Sequence, residues 1–451
     1  MQLLKQIKAN RSRLTVGLIG FVFLFIMLAE KQWNRPDAIR HDMTSYYGYL
    51  PAVFINHDLT LSYSDQPEYE GQYAWVVGAE KGKILRMTMG LAVMETPFFA
   101  VADVGASLFG LERKAYSPWF FFFMYLGAVF YLTLAVKLCI QNLKYFFSSE
   151  VATLTTLALV FGTNLYYYSF CEALMSHVFN FFLYTWLINR CIHWHLQPNA
   201  KDAAAMGLAI GLLILIRPIH ILALLIPLLY QGGSVEKWLK LRNRGTHIIW
   251  MALIIAACVF PQLAYWKYLS GNWFVYTYRD EHFFFNQPMI WKGLLGFRKG
   301  WLIYSPIMFL SLFGLIWSRR RLGEFKLVFL LLLPCYGYVV FSWWCWWYGG
   351  SFGSRPMIDL LPLMAFPLAN FFQFMTNRYR RGFNYAVLTV LAFCYLNIFQ
   401  IRQYQSSELH WDSMTRELYF KIFLNNTWPD NYENLLSHPD YEAAKKGTRD
   451  I

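Results

Sequence analysis

Charge is scarce in this chain: Asp, Glu, Lys and Arg supply only 15% of its 451 residues. Soluble domains carry about 25%, so a water-exposed globule of this length is excluded. Cysteine pairs are lacking too. The seven cysteines, at 139, 171, 191, 258, 335, 345 and 394, all lie in or beside apolar runs, and none forms a CxxC. That pattern excludes a disulfide framework and a thiolate metal site. GxxxxGK[ST], GxGxxG and HExxH are absent as well. ATP-driven transport on a P-loop and HExxH metalloprotease chemistry therefore lack support. No internal repeat is found.

What fills the chain is apolar: 57% of it is hydrophobic and 20% aromatic. Apolar runs long enough to cross a bilayer, about 20 residues each, recur along its length. The runs 14–29, 86–110, 117–139, 151–169, 174–191, 204–230, 247–268, 301–317, 326–342, 356–376 and 383–401 predict an all-α, polytopic membrane protein of about eleven transmembrane helices. Leu14–Ala29 follows a basic stretch, but MLAEKQ offers no small-x-small cleavage site, so it is read as a retained first helix.

The net charge of +13 is positional. Lys5, Lys8, Arg11 and Arg13 precede the first run. Lys237, Lys240, Arg242 and Arg244, then Arg319–Arg321, then Arg378, Arg380 and Arg381, sit in short loops between later runs. Cytoplasmic loops collect such residues, so this placement argues for topology and against nucleic acid. The N-terminus is then inside and 402–451 outside. That tail holds eight acids against six bases, and loop 30–85 eight against five. Two expectations define the organisation: a membrane module over 1–401 and a short outer tail over 402–451.

Two places resist simple alternation. Strict counting puts 170–173 inside, yet FCEALMSH resembles an outer-face element. The run 204–230 is interrupted by Arg217-Pro218, where proline removes a donor and disfavours helix before it. A broken or re-entrant helix there satisfies both. Loop 30–85, with Tyr46, Tyr47, Tyr49 and Phe54, predicts short interfacial helices. Together with loop 269–300 and SWWCWWYGGSFGSRP it is expected to form one outer-face cavity.

The candidate chemistry gathers around His41–Asp58. Asp42 is placed to act as a base on a hydroxyl; the competing reading is a carboxylate capping a helix that starts at Met43. His41 and Asp58 read as structural. Glu172 and His177, five residues apart, could orient a phosphate, hold a divalent metal or move a proton, or simply pair inside the packing. Arg217, Arg355 and Arg86 suit a phosphate, which guanidinium grips bidentately, or else snorkel to an interface. Tyr276, Tyr278, Arg279, Glu281 and His282 suit a sugar, or an ordinary aromatic belt. The tryptophans 343, 344, 346 and 347 carry the same ambiguity. HWH at 193–195 puts its imidazoles on different helix faces and makes no site.

Several stretches in order, HDMTSYYGYLPAVFINHDL, RMTMGLAVMETPFFAVAD, GTNLYYYSFCEALMSHVFNFF, IRPIHILALLIPLL, FRKGWLIYSPIMFLSLFGL and WWYGGSFGSRPMIDLLPLMAFPLA, together resemble the GT-C superfold of integral-membrane glycosyltransferases. The likeness covers about 14–400 and is closest to protein-mannosyltransferase-like and polyprenyl-phosphate-sugar-dependent bacterial families. It implies an inverting hexosyl- or pentosyltransferase at the outer, periplasmic face of a bacterial inner membrane. The donor would be a polyprenyl-phosphate-linked sugar and the acceptor a lipid, a glycan or a protein. The family's acid in the first outer loop falls on Asp42, and a later polar position on Glu172 or His177. Its second acid has no clear counterpart, Asp37 being five residues earlier and Asp58 sixteen later, so a divalent metal is left open as cofactor. The large soluble C-terminal domain of some relatives is missing. A flippase or transporter of lipid-linked saccharides is the main alternative, since broken helices often mark transport sites. An O-antigen-type polymerase and a membrane scaffold are further ones.

Overall fold

Apolar side chains cover the outside of this protein as well as its inside. In the computed structural model, residues 2–232, 244–317 and 322–449 are described, with side chains from residue 14 onward except that of Trp317. The basic clusters at 5–13, 237–242 and 319–321 fall outside the described side chains. Leu14, Phe21, Phe25, Val101, Leu108, Ile249, Leu253, Ile316, Leu330, Leu388 and Leu391 are all exposed. Water would penalise such a surface; lipid would not. Among the described residues, seven helices are long and apolar enough to cross a membrane.

The helices used below are α1 Gln2–Glu30, α2 Asp42–Tyr47, α3 Tyr49–Phe54, α4 Gly90–Leu108, α5 Pro118–Leu143, α6 Ser149–Gly162, α7 Leu165–Phe170, α8 His177–Leu196, α9 Ala200–Ile216, α10 Leu225–Leu229, α11 Gly245–Ser270, α12 Ile307–Trp317, α13 Lys326–Ser342, α14 Leu361–Arg378 and α15 Gly382–Gln405. The strands β1 Val76–Ala79 and β2 Gly82–Leu85 form one antiparallel hairpin in the first loop, which the sequence reading did not anticipate. The short helices expected in that loop are α2 and α3.

Side-chain contacts fix the direction of each helix. Trp33, just beyond the end of α1, meets Phe122 near the start of α5, so the two run antiparallel. Tyr131 meets Phe179, and Asn142 bonds Thr185 and Asn189, so α5 and α8 run together. Arg190 near the end of α8 bonds Asp202 at the start of α9, which therefore returns. Gly207 and Gly211, four apart on one face of α9, let α11 approach closely: an added Cβ would stand 3.0 Å from Met251 Cα and 2.7 Å from Cys258 Cβ respectively. Small residues at this spacing are a standard device of close helix packing in membranes. The bundle thus has two ends. One, the basic end, holds Lys144, Arg190 and Arg378–Arg381. The other, the site end, holds Glu30, Glu172, Arg217 and Gln405.

Two expected spans are corrected. The run 86–110 forms α4, but Gly90 packs on the backbone of Leu215 and Ile216 at the site end of α9. Beyond its other end, Arg113 bonds Phe54 O and Ala115 O accepts from Tyr47, both in the first loop. Neither end of α4 reaches the basic end, so it does not traverse the bundle despite its length. The run 204–230 is not one span either. α9 stops at Ile216, Arg217 is extended (φ −152°, ψ 127°), and a 3-10 helix Pro218–Leu224 leads into α10. His220 bonds Asn180 and Tyr184 near the start of α8, while Tyr230 packs on His195 near its end. The segment therefore runs back toward the basic end. The residue before a proline is pushed out of the helical region, and here that push is used to reverse the chain.

These two changes resolve the difficulty at 170–173. With α4 kept at the site end, α5 descends, α6 returns, and FCEALMSH arrives at the site end between α7 and α8. The loops there are tied together. Thr277 bonds Arg86 O, Arg279 bonds Val76 O, and Trp344 N bonds His282 O. The tail closes on them: Arg449 is buried and donates to Ser342 O and Trp343 O.

Candidate functional site

The site begins with a turn. His41 has φ +51°, and the residues on either side of it are aimed at different partners. Arg40 donates to Glu172 Oε1 at 2.9 Å and to Asp37. Asp42, two residues on, accepts from Arg355 Nη2 at 2.9 Å. Asp42 is thus engaged with a guanidinium rather than capping its helix. Tyr46, four residues later and on the same face of α2, accepts from Arg217 Nε at 2.9 Å. One short helix brings two arginines from distant segments together.

Both arginines precede prolines. Arg217-Pro218 and Arg355-Pro356 each open a 3-10 helix, Pro218–Leu224 and Arg355–Leu360. Each helix also delivers a buried polar group: His220 from the first and Asp359 from the second. Asp359 Oδ1 lies 3.2 Å from His177 Nδ1, and Oδ2 lies 3.5 Å from His220 Nε2. Tyr336 donates to Oδ2 at 3.0 Å. The loop before Arg355 is shaped by Gly349 and Gly353, at φ +61° and +62°. A side chain at Gly353 would press on Tyr304.

Arg86 occupies the flank. Its guanidinium lies between the rings of Trp75 and Tyr278, at 5.0 and 4.7 Å, and pairs with Glu281. Glu281 also accepts from the Trp344 indole at 3.0 Å. Tyr276 donates to the Glu281 carbonyl and stacks on His282 at 6.4 Å. Cation–ring contacts of this kind contribute about 0.5–2 kcal/mol each, so Arg86 is held as a rigid element.

Electrostatics join these parts. Burial alone would raise the Asp42 carboxyl, but Arg355, Arg217 and Arg86 outweigh it and hold it below the usual carboxylate range. Asp42 is therefore ionised at neutral pH. Three buried donors nearby, Arg355 Nε, Arg86 Nε and Ser354 Oγ, have no hydrogen-bond partner among the described residues. Leaving such a donor unpaired costs about 1–3 kcal/mol. Adjacent cations with spare donors make a surface that favours an anion.

The structure brings Asp42, Arg217 and Arg355 together, with Arg86, Glu281, Tyr276 and His282 alongside. It separates Glu172 from His177. Glu172 accepts from Arg40 and from Tyr167 at 3.1 Å and lines a small cleft with Gln32, Arg35, Asp37 and Tyr125. His177 belongs to the Asp359 cluster. Their spacing of five in the sequence does not make them partners. Asp58 accepts from Thr60 and Ser62 and organises its own turn, as a structural residue should. The sequence reading passed over Tyr46, Arg40, Asp359, His220 and Lys299. The last is buried, with Nζ donating to Ser351 O and lying 5.3 Å over the Tyr404 ring. Burial pushes its amine down to about 7. The repeated Arg-Pro pair was the available signal for Asp359 and His220, since each follows such a pair within four residues.

No family model, curated protein or solved structure matches this chain. The likeness to the GT-C superfold stands on the sequence stretches alone.

Proposed function

We propose that this protein is a membrane glycosyltransferase that moves a sugar from a polyprenyl-phosphate donor to an acceptor hydroxyl. The supporting observation is the Asp42–Arg355 pair with unpaired cationic donors beside it, at the end of the bundle where the loops meet. In this reading the donor phosphate takes the spare nitrogens of Arg355 and Arg86 and the Ser354 hydroxyl, and Arg217 adds positive charge. Tyr276, Glu281 and His282 face the sugar. The acceptor oxygen attacks the anomeric carbon while the bond from that carbon to the phosphate oxygen breaks. The bonding pair leaves with the polyprenyl phosphate, and the hydroxyl proton passes to Asp42. Neither ATP nor a nucleotide fold is needed, because the phosphate is already a competent leaving group.

The pairing suggests how the base is switched. An Asp held by Arg355 is a weak base, since base strength falls with pKa. A phosphate that draws Arg355 away relieves that hold and strengthens Asp42 as the donor arrives. Site residues at the end opposite the basic loops suit the periplasmic face of a bacterial inner membrane.

The reversal at Arg217-Pro218 favours a second reading, a transporter of lipid-linked saccharides, because discontinuous helices often build such sites. Purified protein in liposomes, supplied with labelled polyprenyl-phosphate sugars and candidate acceptors, separates the two. Transfer of label to an acceptor supports the enzyme. Movement of intact donor between leaflets with no new glycosidic bond supports the transporter.

A further inference from the structure

The tail beyond α15 contains a second cluster of side chains, apart from the Asp42 site. His410, Asp412 and His438 each offer one ligand atom, and these atoms all lie within 4.8 Å of one another. Two chain segments meet here. Ser437 N bonds Ser413 O, and Thr415 Oγ1 bonds Leu435 O, fixing 410–415 against 435–438. Asp412 is buried; its Oδ2 accepts from Tyr441 at 2.7 Å and its Oδ1 from Ser413 at 2.6 Å. The Asp412 Oδ1 atom also lies 3.3 Å from His410 Nδ1. Ser413 Oγ is 3.0 Å from His438 Nδ1, and the two imidazoles stand 5.7 Å apart in an edge-on arrangement. His410 Nδ1 accepts from the backbone N–H groups of Asp412 and Ser413, and His438 Nδ1 pairs with the Ser413 hydroxyl.

We propose that His410, Asp412 and His438 bind a zinc(II) ion that pins the tail to the outer face. Two imidazoles and one carboxylate are a donor set that suits zinc, with one further position open to water. Zinc holds such ligands at about 2.0–2.1 Å, which places neighbouring ligand atoms about 3.3 Å apart in a tetrahedron. Binding therefore draws the cluster together, and exposed His438 is free to move inward. Hydrogen bonds from the second shell aim metal ligands; Tyr441 and Ser413 supply them to Asp412. Arg298 and Lys299 act electrostatically on Asp412 and oppose a cation. The site is accordingly weaker than a closed four-ligand one.

The consequence reaches the loops. Tyr441 accepts from the Trp347 indole at 3.4 Å, and Arg298 donates to Ser437 O at 2.8 Å. An ion at this point locks the tail onto the loop that carries Arg298 and Lys299 and onto the one that leads to Arg355.

The test uses the full detergent-solubilised chain, stripped of metal and re-equilibrated with zinc(II). Metal analysis is expected to find one more zinc per chain in the wild type than in His438→Gln or His410→Gln, and zinc is expected to raise the unfolding temperature of the wild type alone. Cobalt(II) is expected to give the visible bands of a four-coordinate site in the wild type. Equal zinc content in wild type and both variants overturns the proposal, and so does a wild-type cobalt spectrum without those bands. The cobalt measurement needs no variant, so it decides the matter even if a substitution prevents folding.

Discussion

Asp42 and Arg355 stand 313 residues apart in the chain and 2.9 Å apart in space. Their pairing joins the first loop to the segment that opens α14, and Arg217 and Arg86 act on the same carboxylate from two further segments. Four distant pieces of sequence are thereby held in one charged cluster.

Breaking both members of the pair should cost less than the two single changes added together. Asp42→Asn or Arg355→Met each leaves a charge without its partner, and both side chains are mostly shielded from solvent, at 20% and 15% exposure. Each single change is expected to destabilise by about 2 kcal/mol, with the double change costing clearly less than the sum. Thermal unfolding in detergent reads the cycle; simple additivity would show that the two groups do not interact.

Arg355→Lys keeps the charge and loses the planar fork. On the proposed function it should raise the apparent KM for a polyprenyl-phosphate donor by roughly 10–100-fold, the equivalent of about 1.5–3 kcal/mol for one charge-assisted hydrogen bond. Steady-state kinetics against donor concentration measures this. An unchanged KM would remove Arg355 from phosphate binding.

Lys299 should give stability a pH dependence of known sign. Its amine is held at about 7 in the folded protein, against 10.5 ordinarily. Between these values the unfolded chain binds more protons than the folded one, so stability rises with pH across this window and is level below it. Unfolding temperatures taken from about pH 6 to about 10 should show the rise in wild type and a flatter profile in Lys299→Met. Identical profiles would mean that the amine is not desolvated.

The position of α4 can be checked by accessibility. Single cysteines replacing His57, Glu112 and Arg380 in a cysteine-free chain are all at exposed positions. A membrane-impermeant maleimide should label the first two from one side of the membrane and the third from the other. Labelling of 57 and 112 from opposite sides would restore α4 as a crossing.

Helical character was legible in the sequence because lipid leaves few choices: long apolar runs must satisfy their own backbone as helices. The Arg217-Pro218 break was legible too, because proline acts locally. Direction was not. α4 has the length and hydropathy of a span, and only its contacts with Ile216 at one end and Phe54 at the other reveal its course. Asp42, Arg217 and Arg355 could be picked out as charges placed where charge is expensive. Asp359 and His220 could not be picked out as easily, since their partnership depends on two 3-10 turns folding against each other. Glu172 and His177 were paired by sequence proximity, whereas packing assigns them to different partners, Arg40 and Asp359.

In the proposed transfer an ionised Asp42 receives the acceptor's proton. The most direct measurement compares wild type and Asp42→Asn for transfer of labelled sugar from a polyprenyl-phosphate donor, with folding verified by unfolding temperature. The account predicts a fall of roughly 10²–10⁴-fold in the variant, the usual contribution of a positioned base. Transfer at the wild-type rate by a folded Asp42→Asn protein would contradict it.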